Sequence, residues 1–243
     1  MKKPNIPWRR ITAEGIAIVF SILLAFTIQA WWEGTLEDEK RNVILVGLQG
    51  DLEQSNAQLS RLARLDSIRS DAAQRIVGIA RTDAVSSSFA AKVDTLLSNA
   101  FWGERFEPAN GTLDALIGAG SLELLANPTL AADLTSWRSQ VESLRASQTQ
   151  LLSHLNEYVL PYLRTNQIRT ADLLWTNAEI YEVPWEVRHT NAYRLIGEPK
   201  FESLIADLWF YSSDVTEKSR LVSEKLDRIQ LSLAQELGSG DHN

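Results

Sequence analysis

The feature that most constrains this chain is one apolar run near its start. From Gly15 to Trp32 (GIAIVFSILLAFTIQAWW) eighteen consecutive residues carry no charge. At a rise of ~1.5 Å per residue the run makes a helix of roughly 27 Å, close to the thickness of a bilayer's hydrocarbon core. Trp8 precedes it, and Trp31 and Trp32 close it, as expected of aromatic rings at the two headgroup levels. The residues therefore predict a membrane span over 11–32, with the lipid bilayer as the first partner.

Charge sets the expected orientation. Lys2, Lys3, Arg9 and Arg10 precede the span, whereas Glu33, Glu37, Asp38 and Glu39 follow it before Lys40 and Arg41. The positive-inside rule puts the N-terminal tail, 1–10, in the cytoplasm and the body outside. A cleavable signal peptide is the competing reading. The basic start suits it, but the long apolar run, Glu14 at its edge and bulky Ile28 before Ala30 do not. An uncleaved signal anchor, with the body outside the cytoplasm, is the expectation.

Within the span, Glu14, Ala17, Ser21, Ala25 and Gln29 share a helical face at steps of three or four. Ala17-x-x-x-Ser21-x-x-x-Ala25 is a small-xxx-small pattern that lets helices approach in lipid. Glu14 admits two readings: a carboxylate snorkelling toward Arg10, or a group facing a partner helix. The face predicts packing against another membrane protein or a second copy.

Helical spacing dominates the body (33–237), and no alternating strand pattern persists. Leu45, Leu48, Leu52, Leu59 and Leu62 fall on one face; Leu65, Ile68, Ala72, Ile76 and Ile79 continue on a shifted register. This helix, 36–81, is expected to grow out of the span, with Gly34, Gly47 and Gly50 as places to bend. Ser86–Ser88 offers a cap for a helix ending near Gly103, and Thr112 for a short one after it. Asn127-Pro128 opens a long helix through Leu134, Trp137, Val141, Leu144, Leu151, Leu155 and Tyr158, which Pro161 should stop or kink. Residues 166–197 read as a packed irregular connection. Glu198-Pro199 starts the last helix, and 238–243 reads as a disordered tail. The expected fold is all-α, a span continuing into an antiparallel bundle.

The layout resembles a family of uncharacterised single-span bacterial membrane proteins. The likeness is carried by Glu14-Gly15 opening the span, by Gln29–Trp32 closing it, by FEPANGTLDALIGAGSLELLANPTL (Phe106–Leu130) and by EPKFESLIADL (Glu198–Leu208). It implies a membrane-anchored helical domain outside the cytoplasm and brings no activity.

Chemistry is sparsely signalled. With no cysteine, thiolate metal sites, disulfides and cysteine nucleophiles are excluded. From Glu33 onward 20 Lys/Arg face 30 Asp/Glu, so an acidic body without basic blocks is a poor ligand for nucleic acid. Glu182, Glu186 and His189 include one Glu-x-x-His, where a di-iron bundle needs two. His154, among leucines, reads as a surface or satisfied core residue, and Gly118-Ala-Gly120 as a turn. Neither catalytic nor cofactor residues are expected. Trp102, Trp137, Trp175, Trp185 and Trp209 read as core. Trp209-Phe210-Tyr211 cannot all face one core, so at least one should project toward solvent, headgroups or a partner. The expected function is a non-enzymatic accessory or interaction subunit of a membrane complex, respiratory or photosynthetic among the options. The alternative is a sensory, small-ligand-binding module signalling through a partner.

Overall fold

The computed structural model describes residues 8–80, 90–125, 127–170 and 190–240. Helix α1 (Trp8–Ala80) spans 73 residues without a break, about 110 Å of continuous helix. Neither Gly34 nor Gly47 nor Gly50 interrupts it. There follow α2 (Ala90–Phe101), α3 (Gly111–Gly118), a 3₁₀ turn (Leu122–Leu124), α4 (Pro128–His154), a π turn (Leu155–Val159), α5 (Leu160–Thr165), a second 3₁₀ turn (Ala192–Leu195) and α6 (Pro199–Gly240). No strand occurs among the described residues, and the fold is all-α as expected.

Three long helices carry the core on strict three–four spacing. On α1 the seam runs Leu45, Leu48, Leu52, Ser55, Leu59, Leu62, Asp66, Arg69, Ala73 and Ile76, all buried. On α6 it runs from Phe201 through Leu208, Ser212, Val215, Ser219 and Val222 to Ile229, Leu233 and Glu236. On α4 it runs from Leu130 through Trp137, Leu144, Gln148 and Leu151 to Leu155. A 3.5-residue repeat of this kind packs knobs into holes along slightly supercoiled helices. The expected register shift holds in part: Ala72 and Ile76 are buried and Ile79 packs against the core, but the seam does not pass through Leu65 and Ile68. These two are only partly buried, and the seam passes instead through the charged Asp66 and Arg69.

Helix α6 runs antiparallel to α1. Arg41 donates to Glu236 Oε1 at 2.8 Å at one end, and Ser70 meets Ser213 at 3.4 Å toward the other. It is likewise antiparallel to α4, through Lys225–Asp133 at 2.8 Å and Ser147–Asp214 at 2.6 Å. Helices α2 and α3 pack on successive parts of α1, and the loop between them is pinned from both sides. The Phe106 ring is fully buried; its N–H donates to Gln148 Oε1 (2.9 Å) and its carbonyl accepts from Arg145 Nε (3.1 Å). On the α1 side Ala109 N–H donates to Ser55 Oγ (3.0 Å). Arg61 meets both oxygens of Glu104 at 2.6 and 2.7 Å.

Helix ends follow local chemistry with three corrections. Asn127 caps α4, its side-chain oxygen accepting from Thr129 and Leu130 N–H, with Pro128 in the first turn. Thr112 does not cap α3. Its N–H donates to Asp51 Oδ2 at 2.7 Å, so a carboxylate on α1 satisfies the helix start across the bundle. Pro161 neither stops nor sharply ends its helix. The π turn directly before it adds a residue to the register, moving Val159 into the core and leaving Tyr158 57% exposed. Tyr158 is therefore not a core residue. The chain leaves α3 and α5 by the same six-to-one and five-to-two pattern. Ser121 N–H donates to Leu116 O and Gly120 N–H to Ile117 O, with Gly120 at φ +67°; Ile168 and Gln167 N–H donate to Leu163 and Arg164 O, with Gln167 at φ +61°. Helix α6 includes Gly238–Gly240, assigned from sequence to the tail.

Candidate functional site

The apolar start of α1 is long and apolar enough to cross a membrane, and none of its most apolar window is buried by the rest of the chain. Phe20, Phe26, Trp31 and Trp32 stand free, the two tryptophans 68% and 64% exposed. Hydroxyls in and beside the run are satisfied within the helix: Thr27 donates to Leu23 O (2.8 Å) and Thr35 to Trp31 O (2.9 Å). Ser21, Ala25 and Gln29 are exposed, and Gln29 Nε2 donates to Glu33 Oε1 at 2.9 Å. Trp8, Arg9, Arg10, Glu14 and Ala17 belong to the helical backbone, and their side chains lie outside the described residues.

Between Trp32 and Arg41 the helix is exposed all round, about 13 Å of acidic stem before the bundle begins at the Arg41–Glu236 pair.

The three consecutive aromatics divide as helical geometry requires. Trp209 is half-buried against the core, Tyr211 packs with its ring centre 5.2 Å from that of His154, and Phe210 is 68% exposed. His154 is buried; its Nε2 lies 2.9 Å from Leu204 O and its ring stacks on Tyr158 at 5.8 Å. The π turn, His154, Tyr158, Phe210 and Tyr211 thus form one aromatic patch, with Asp207 and Glu157 exposed beside it.

Inside the bundle lies a polar layer that spacing arguments passed over. Asp66 and Arg69 are 0% and 2% exposed and form an ion pair; Arg69 Nη1 also donates to Trp102 O at 2.8 Å, and Ser219 Oγ to Asp66 Oδ2 at 3.2 Å. Burial pushes the Asp66 carboxyl up, against the opposing pull of Arg69 and Ser219, and pushes the Arg69 guanidinium down. The sequence signal was present: an Asp-x-x-Arg on the seam itself, where a solvent-facing pair would not stand.

A second polar cluster joins α4 to α6. Ser147 Oγ donates to Asp214 and accepts from Lys218 Nζ at 2.5 Å, while Lys218 and Asp214 pair at 3.1 Å. A serine between a lysine and a carboxylate has the composition of a nucleophile, but Ser147 sits mid-helix and buried. Its neighbouring N–H groups are spent on helix bonds, so no donors converge on an oxyanion position. The cluster ties α4 to α6. No group of three or more metal-ligating His, Cys, Asp or Glu occurs among the described residues. Glu182, Glu186, His189, Trp175, Trp185 and His242 lie outside them, as does the Ser86–Ser88 cap.

At the end of the bundle near the Arg41–Glu236 pair a groove of about 430 Å³ opens between α1 and α6, lined by Gln49, Glu53, Gln230, Leu233, Ala234 and Leu237.

Comparison with protein-family models, curated proteins and solved structures finds no match to this chain.

Proposed function

We propose that this chain is a non-enzymatic, single-pass membrane protein of the bacterial cytoplasmic membrane, displaying its bundle on the periplasmic side as a structural or accessory module for other membrane proteins. The observation that carries the reading is the division of α1. Among the described residues its first part leaves every large apolar side chain exposed, and its second part is a core helix of a well-packed bundle. Contiguous apolar surface on that scale is not tolerated in water, and lipid is the solvent that suits it. The basic residues before the run and the acidic stem after it support a cytoplasmic N-terminus. The resemblance to single-span bacterial proteins is part of the same proposal.

The polar clusters suit a scaffold, since they tie α1 and α4 to α6: Ser219 reaches Asp66, and Lys218 and Asp214 reach Ser147. The surfaces left over are the aromatic patch around Phe210 and the outer side of α1.

The groove between α1 and α6 favours one second reading, a small-ligand module that signals through a partner. Its mixed lining of three polar and three apolar side chains suits a small amphipathic molecule. Purification of the full chain from native membranes in mild detergent, followed by mass spectrometry, separates the readings. A stoichiometric protein partner or a homo-oligomer supports the first, and a lone monomer carrying a small molecule supports the second. A reporter that fluoresces only in the cytoplasm, fused after Asn243, stays dark if the orientation holds, and a bright signal overturns it.

A further inference from the structure

Helix α1 carries a second seam. Ile22, Ala25, Gln29, Trp32, Leu36, Glu39, Val43, Val46 and Gly50 follow one another at alternating steps of three and four, the same 3.5-residue repeat as the inner seam. At ~100° per residue this stripe lies about 170° round the helix from Leu45, Leu48 and Leu52, which face the bundle. It is exposed over its whole length, and Val43 and Val46, well clear of the apolar run, are 68% and 56% exposed. After Gly50 the repeat meets Glu53 and Ser60 and loses its apolar character. The stripe thus runs roughly 42 Å, from within the span to the first turns of the bundle.

Resting on the membrane-anchored reading above, we infer that this stripe is the interface of a parallel homodimer, with α1 of a second copy as its occupant. A sustained 3.5-residue repeat is matched by another helix running alongside, and this one crosses the lipid–water boundary without changing phase. Its occupant must be a helix that leaves the membrane and continues straight for about 27 Å, which α1 itself does. The bundle stands on the opposite side of α1, so a two-fold axis along the stripe brings the two helices together with both bundles facing outward. The seam extends for about eight turns of helix. Small Ala25 and Gly50 allow close approach, Gln29 stands at the kind of seam position where a single amide fixes register, and Glu39, set opposite its own copy by the two-fold axis, has Lys40 of the second copy beside it.

The chain contains no cysteine, so single substitutions report contact without background. Val43→Cys, Val46→Cys and Gly50→Cys in the full chain, oxidised in native membranes, are expected to give a disulfide-linked product of twice the chain mass. Seam positions bring Cβ atoms within the few ångströms that the bond needs. Glu37→Cys and Asp38→Cys, equally exposed but off the stripe, are expected to give several-fold less. Equal yields at all five positions overturn the inference, and so does the absence of product at every stripe position in membrane-bound chain. A product at Val43 and Val46 of a different mass overturns the second copy while leaving the interaction module standing. Recovery of the chain in the soluble fraction instead overturns the membrane reading itself.

Discussion

Removing Arg69 tests whether the bundle depends on its buried ion pair. In Arg69→Met the Asp66 carboxylate, itself 0% exposed, retains only the Ser219 hydroxyl at 3.2 Å, and the Trp102 carbonyl loses a donor at 2.8 Å. Stranding one partner of a buried pair costs about 3–5 kcal/mol. For a chain of this size that lowers the melting midpoint by roughly 6–20 °C. Asp66→Leu together with Arg69→Met removes both charges, and its stability returns to that of the parent or exceeds it by ~1–4 kcal/mol. The assay is thermal loss of helical circular dichroism in detergent, on the full chain. A single-variant loss below ~1 kcal/mol, or a double variant no better than the single, refutes the argument.

The same variant has a pH signature. Burial already raises the Asp66 carboxyl in the parent, with Arg69 the largest opposing influence, so losing Arg69 raises it further. A folded-state value above the unfolded one gives stability that is complete below the unfolded value and fades as pH rises through the folded value. The gap between Arg69→Met and the parent therefore narrows on acidification toward about pH 4 and widens toward neutrality. A gap that widens on acidification contradicts the assignment.

Gln167 holds φ +61° at the end of α5, so Gln167→Gly raises stability by about 1 kcal/mol in chemical denaturation. Asn127→Ala removes the acceptor for two N–H groups of α4 and costs about 1 kcal/mol by the same assay. Gly50→Ala meets nothing within 4 Å and gains up to ~1 kcal/mol from helix propensity, whereas a Cβ at Gly47 falls 2.9 Å from Thr112 Oγ1, so Gly47→Ala is the less stable of the two. Phe210→Ser changes stability by less than ~0.5 kcal/mol yet lowers recovery of any partner held by the aromatic patch, measured by co-purification.

The sequence spelled out the long helices, and it misled where a distant partner or a local change of helical phase decided the outcome. Leucine spacing located the inner seam of α1 up to Leu62, then drifted to Leu65 and Ile68 because Asp66 and Arg69 carry charge. Charge marks solvent only while it is unpaired, and here each charge meets the other, with Ser219 and the Trp102 carbonyl as further partners. The α3 cap failed similarly. Thr112 was the local candidate, but the acceptor is Asp51, sixty-one residues earlier, and no window along the chain contains both. Pro161 was read from its missing N–H alone, without the π turn that re-phases the helix before it. Val43 and Val46 were hidden for the opposite reason. On a helix apolar on several sides, periodicity does not reveal which side the bundle covers, and only the placement of α6 and α4 does. Arg41, Ser55, Asp66 and Arg69 on the inner seam each have a specific partner, so they fix the register of α1 within its own bundle. The outer stripe carries few such groups, and its apolar residues are left uncovered. Because no break separates the apolar run from the part of α1 that enters the core, whatever binds that stripe sets the orientation of the whole bundle.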